Sequence, residues 1–297
     1  MLLAVDVGNT EITIGVFEGT ELVQHWRAAT VAERTADEHA LLFGGFLAQE
    51  GLRLADAVDG VAISSVVPRL TQALREMVRR YCQVELLVVE PGIRTGLPIL
   101  TDNPREMGAD RVVNAVAAFA AYGGPVVVVD FGTATTFDAV SERGEHLGAA
   151  IAPGIEVSMN ALVERTAQLR RVELVAPRSV IGKNTVESLQ SGAVWGFAGQ
   201  VDGIVRRMVA ELGGQATVVA TGGLAGAVLD ACESVQRHDP WLTLYGLRII
   251  WDRNRGPGGS GGLKPSPRES RGLKPNPPEN RGLKPSPPEN RELKAHG

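Results

Sequence analysis

Only two cysteines, Cys82 and Cys232, occur in 297 residues. That is too few for a disulfide framework, and two distant, buried thiols in a reducing compartment are the expectation. No apolar run reaches the roughly 18 residues that a membrane span needs. No basic segment precedes an apolar stretch at the start; Met1 runs straight into a strand-like sequence, which points away from a secretory signal and toward the cytoplasm. The histidines have no metal-ligand spacing. Neither a Gly-x4-Gly-Lys-Ser/Thr loop nor a Gly-x-Gly-x-x-Gly turn opening a helix is present. A helix-turn-helix signal is missing too, which argues against direct work on DNA.

What remains is a globular composition, 44% apolar and 22% charged. The net charge of −4 is unevenly spread. Residues 255–297 carry nine Lys/Arg against four Glu, so the body carries −9. An acidic body excludes broad nucleic-acid binding and suits carboxylates that work with cations. The tail repeats "GLKPNPPEN R" with small changes and offers one Leu per unit as its large apolar group. So little apolar surface cannot offset ordering entropy, and a disordered Pro-rich extension is expected. It is either neutral or a tandem ligand for a proline-reading partner.

The body alternates short apolar strands with longer helix-like windows. Strands are expected at 2–7, 12–17, 60–66, 84–90, 125–131, 135–140, 148–154 and 216–223. Helices are expected at 36–50, 69–81, 110–122, 155–165, 186–213 and 224–231. Such alternation predicts an α/β architecture. "VDVGNTEITIGVF" (5–17) is echoed by "VDFGTATTFDAV" (129–140), with the two aspartates 124 positions apart. Each is a strand, an Asp-x-Gly turn and a second β-branched strand, so two similar halves are expected.

Glycine lets a ligand approach the turn backbone closely. Successive turn N–H groups can converge on an anion. An acid beside a bare phosphate would repel it, so Asp6 makes chemical sense chiefly with Mg²⁺, which takes one or two carboxylates plus phosphate oxygens. The competing reading is a hairpin whose Asp and Asn merely satisfy turn backbone. A third glycine element, Thr221-Gly222-Gly223, follows an apolar strand and leaves room for a flat adenine and ribose.

Asp-x-Gly-Asn-Thr, a central Asp-x-Gly-Thr and a late Thr-Gly-Gly resemble the nucleotide elements of the acetate kinase, sugar kinase, heat-shock chaperone and actin superfamily. "DNPREMGADRVVNAVAA" (102–118), "DFGTATTFD" (130–138), "GAAIAPGI" (148–155) and "VIGKNTVESLQSGAVWG" (180–196) resemble, more narrowly, type III pantothenate kinases. The resemblance runs to about residue 254. It implies two fused ribonuclease-H-like halves, a duplicated actin-like ATPase fold. The halves are expected at 1–115 and 116–254, followed by a disordered tail at 255–297. It implies ATP-dependent phosphorylation of pantothenate to 4'-phosphopantothenate, the first step of coenzyme A biosynthesis. It also implies a homodimer with its site near the interface, and no nucleic-acid or membrane partner.

Carried over residue by residue, the resemblance implies that Asp6, Val7, Gly8, Asn9, Thr10, Glu11, Ile12 and Thr13 hold ATP. Thr133, beside Gly132, and the pair Gly222 and Gly223 complete that site. Asp6 would meet Mg²⁺, directly or through water, and Asp130 a monovalent cation, K⁺ or NH₄⁺. Gly108, Ala109, Asp110, Arg111 and Thr185 would contact pantothenate, with Asp110 as proton acceptor. A carboxylate within reach of a primary alcohol can orient it and take its proton late. Asp110 could instead be a plain N-cap. Pantothenate is an anion, so Arg111, or else Arg105, could hold its carboxylate; both could instead pair with Glu106 or Asp102. Thr101 and Arg170 depart from the family pattern, where an aromatic residue and a proline are expected. Trp195 is expected as a buried anchor. A related kinase for another small alcohol and a nucleotide-responsive transcriptional accessory protein remain the competing functions.

Overall fold

A computed structural model describes residues 1–255. The repeat tail, from residue 256 on, lies outside the described residues. Two five-stranded mixed sheets carry the fold. The first holds β1 (Leu2–Val7), β2 (Glu11–Glu18), β3 (Glu21–Ala29), β4 (Gly60–Ser65) and β5 (Glu85–Val88), in the order β3-β2-β1-β4-β5. The second holds β6 (Val126–Phe131), β7 (Ala134–Val140), β8 (His146–Pro153), β9 (Thr217–Thr221) and β10 (Arg237–His238), in the matching order β8-β7-β6-β9-β10. In both, the first three strands pair antiparallel and the last two run parallel to the first. This is the ribonuclease-H-like arrangement, present twice.

The helices are α1 (Ala36–Gln49), α2 (Leu54–Ala57), α3 (Pro68–Met77), α4 (Ala109–Tyr122), α5 (Ile155–Glu164), α6 (Thr185–Glu211) and α7 (Leu242–Asn254). Local chemistry starts several of them. Thr35 and Glu38 form a capping box at α1, the Glu38 carboxylate accepting from Thr35 N–H at 2.7 Å. Pro68 opens α3 at a position where its missing N–H costs nothing. Asn184 caps α6 by accepting from Glu187 N–H at 3.0 Å.

One buried cluster lies on the first sheet beneath α1 and α3, around Ile14, Phe43, Leu70 and Leu74. A second lies on the other sheet against α6, around Val129, Phe137 and Val201. The third joins the halves. There α4 and α7 lie between the sheets and bury Ala4 and Ala62 from one side and Val126, Val128 and Val219 from the other. Position 115/116, expected as a domain boundary, therefore falls inside α4, whose buried face serves both sheets.

The expected strands and most expected helices are present, with corrections. Residues 224–231 form two short 3₁₀ turns, Ala225–Ala227 and Leu229–Ala231, rather than a helix; Gly226 and the β-branched Val228 lower helix propensity there. Trp195 is 41% exposed on α6 and is not a buried anchor. Strand β3 and helix α7 have no counterpart in the expectations.

Candidate active site

The two Asp-x-Gly turns meet. Asp6 is the last residue but one of β1, opposite Thr13, and Asp130 the last but one of β6, opposite Thr136, so the first turn is one residue longer. Each glycine closes its turn through backbone: Gly8 N–H donates to Glu11 O at 3.0 Å, and Gly132 N–H to Ala134 O at 3.0 Å. Thr30 Oγ1 braces the first turn by donating to Gly8 O at 2.8 Å. Thr10 Oγ1 and Thr133 Oγ1 share a hydrogen bond of 3.0 Å across 123 residues of sequence. The echo in the sequence is thus a facing pair in space.

Gly222 sits directly behind Asp130. Its φ of +94° is a left-handed conformation, and a Cβ there would overlap the Asp130 carboxylate and the Phe131 backbone. Gly223 lies beside Arg27 and Glu11 of the first half, whose ion pair measures 3.5 Å. Arg27 also stands 5.0 Å over the Trp241 ring. Neither Arg27 nor Trp241 was expected at this place; a lone cation in a polar edge strand carries no signal by itself.

Asp110 occupies the first turn of α4, after Gly108 as N-cap and Ala109 as first helical residue. It is therefore not the N-cap. Its Oδ1 accepts from Arg111 N–H at 2.8 Å. The Asp110 charge acts on both Asp6 and Asp130, and the Asp130 charge acts on Asp6. Burial, then the Asp110 charge, pushes the Asp6 carboxyl up to about 8. Burial, then Asp110 and Asp138, pushes Asp130 up to about 7, against a hydrogen bond from Asn114 Nδ2 at 2.9 Å. Asp110 is raised too, chiefly by burial, with the Arg111 N–H opposing. A cation beside these carboxylates would favour their charged forms.

The donors are oxygens, which fits a hard cation such as Mg²⁺ or K⁺. Among the described residues no three His, Cys, Asp or Glu side chains could hold a metal ion by themselves. A divalent ion beside Asp6 would therefore complete its shell with water and phosphate oxygens.

Arg111 pairs with neither Glu106 nor Asp102. It reaches Asp138 in mid β7, with Nη2 2.7 Å from Oδ1. Asp138, an acid among Phe137, Ala139 and Val140, was missed; a buried acid in an apolar strand is itself a signal that a cation must face it. Arg105 is exposed and has no ion pair among the described residues. Thr101 carries a buried hydroxyl without a hydrogen-bond partner among the described residues. Thr185 begins α6 and is exposed; among the described residues no hydrogen bond joins it to the acids. Its sequence neighbours Val180, Ile181 and Val186 are exposed, as is Trp195 further along α6.

The family profile of type III pantothenate kinase matches residues 2–207. A type III pantothenate kinase of Streptomyces griseus is 57% identical over 261 residues, covering 86% of this chain and 98% of the relative. That of Thermobifida fusca is 57% identical over 258 residues, covering 86% and 100%. A solved structure described as a conserved Baf family transcriptional activator from Campylobacter jejuni superposes with a TM-score of 0.54 at 19% identity, over 85% of this chain and 98% of that one. The last likeness speaks for the fold alone. At such identity over nearly the full length of its relatives, the chain belongs to the type III pantothenate kinase family.

Proposed function

We propose that this protein transfers the γ-phosphoryl group of ATP to the primary alcohol of pantothenate, giving 4'-phosphopantothenate on the route to coenzyme A. The observation that carries this reading is the meeting of Asp6, Asp130 and Asp110 from two strand ends and one helix start, beside the Thr10–Thr133 contact. Phosphoryl transfer needs positioning and charge stabilisation more than covalent help. Residues Asp6 to Thr13 and Thr133 line the turns on which the ATP phosphates rest, and Gly222 and Gly223 receive the adenosine. Bound Mg²⁺ supplies the positive charge that the phosphate oxygens require. Asp110 orients the acceptor hydroxyl and takes its proton as the new P–O bond forms. Gly108 and Ala109 keep the backbone low where pantothenate lies, and Arg111 faces its carboxylate.

Asp130, held by Asn114, is the proposed ligand of a monovalent cation. The exposed apolar side chains near Thr185 support a homodimer with the site near its interface. No described helix is long and apolar enough to cross a membrane, and both cysteines are free, which supports a cytoplasmic enzyme.

The test is product identification. With Mg-ATP, pantothenate should gain one phosphate by mass, and other small primary alcohols should react far more slowly. A better acceptor among those alcohols would replace the proposed substrate.

A further inference from the structure

The β7–β8 hairpin grips the segment 98–111 at both ends. At one end His146 N–H donates to Pro98 O at 2.8 Å, and Leu100 N–H donates to His146 O at 2.9 Å. At the other, Asp138 receives Arg111 Nε at 3.1 and 3.2 Å and Nη2 at 2.7 Å. His146 Nε2 stands 2.7 Å from the same carboxylate, and Thr136 Oγ1 donates to it at 3.4 Å. Asp138 is 1% exposed and His146 0%. The second half thus holds the segment that bears the substrate motif.

An acid at this depth is costly unless it is paired. The strand does not need one, since its neighbours Phe137, Ala139 and Val140 are core. What Asp138 does achieve is visible on Arg111. Two of the three guanidinium nitrogens are engaged, which fixes the plane of the group. Nη1 makes no hydrogen bond among the described residues.

We propose that Asp138 is a positioning residue for acceptor recognition: it locks the Arg111 guanidinium so that Nη1 is presented to the carboxylate of the acceptor. The proposal rests on the reading that Arg111 faces that carboxylate. A long arginine side chain left free would lose rotamer freedom on each capture; one already held loses little. A planar fork also fits a carboxylate as a point charge does not. His146 meets the same Asp138 Oδ1 that Arg111 Nη2 reaches, and its backbone tethers residues 98–100. Arrangement of the acceptor site is therefore shared between the halves, with the cation on α4 and its support on β7.

The test compares pantothenate with pantothenol, which keeps the acceptor hydroxyl and lacks the carboxylate. Asp138→Asn should raise the KM for pantothenate by about ten-fold or more, with the KM for pantothenol and for ATP changed by less than about three-fold. Arg111→Met should show the same selectivity. If Arg111→Met is selective and Asp138→Asn is not, the proposal fails while the reading of Arg111 stands. If Arg111→Met affects both acceptors equally, that reading fails and takes the proposal with it. Should Asp138→Asn fail to melt cooperatively, Arg111→Lys decides. Lysine keeps the charge but cannot form the fork, so it should lose pantothenate selectively; normal pantothenate KM in Arg111→Lys overturns the proposal.

Discussion

Replacing Asp110 by Asn keeps the size of the side chain and removes its capacity to accept a proton. Turnover should fall by about 10²–10⁴-fold, the usual range for a general base, while Mg-ATP affinity stays nearly unchanged. Turnover within a few-fold of the parent would remove Asp110 from the base role. His39 makes a different prediction. It is fully buried in the first-half core, its ring nitrogens make no hydrogen bond among the described residues, and its ring lies 5.7 Å from that of Phe43. Burial, reinforced by the Arg34 charge, lowers its pKa from 6.5 to about 4. Protonation is thus easier in the unfolded chain than in the folded one. The stability this neutral ring contributes is present above pH 6.5 and is lost as pH falls toward about 4. His39→Leu should flatten the dependence of the urea midpoint on pH across that window; an unchanged slope would place the acid sensitivity elsewhere. At this scale the motif acids were readable because each sits in a turn or helix start with a chemical signature. Asp138, an acid in an apolar strand, called for a cation to face it but could not show which, since Arg111 lies 27 positions away in sequence.

Between elements, the contact of α4 with α7 carries the most weight. Gly246 of α7 lies against the Val113 carbonyl of α4, and a Cβ there would overlap it. Thr243 Oγ1 donates to Asn114 Oδ1 at 2.7 Å, and Asn114 in turn donates to Asp130. A helix whose Thr243 lies 129 positions beyond Asn114 thus supports the proposed cation ligand. Gly246→Val should cost about 1–3 kcal/mol through forced separation of the helices, read as a lower urea midpoint; a stability equal to the parent would show that the helices can part freely. This helix escaped the sequence reading although its buried residues, Leu242, Leu244, Leu247, Ile250 and Trp251, are plain in the fold. Apolar side chains on both sides of Gly246 blur a helical period. Strand β3 escaped because it alternates exposed with half-buried residues at a sheet edge. The Asp-x-Gly hairpins were legible because strand, turn and strand are all local.

Across the whole molecule, two halves of like topology face one another, and the proposed reaction draws on both. The first supplies Asp6 and the second Asp130, while Asp110 rides on the helix between the sheets. Duplication was legible because both hairpins kept the same core of residues. How α4 and α7 fill the seam was not, because packing between distant segments leaves no local pattern. If Asp110 is the proposed base, placed for the acceptor hydroxyl, ATP should be spent chiefly when the acceptor is bound. The most direct measurement is ADP release by the full chain, with Mg-ATP, with and without pantothenate, in K⁺ and then in Na⁺. Release that depends on pantothenate and falls when Na⁺ replaces K⁺ is the predicted result. ADP release at the same rate without pantothenate would contradict the account.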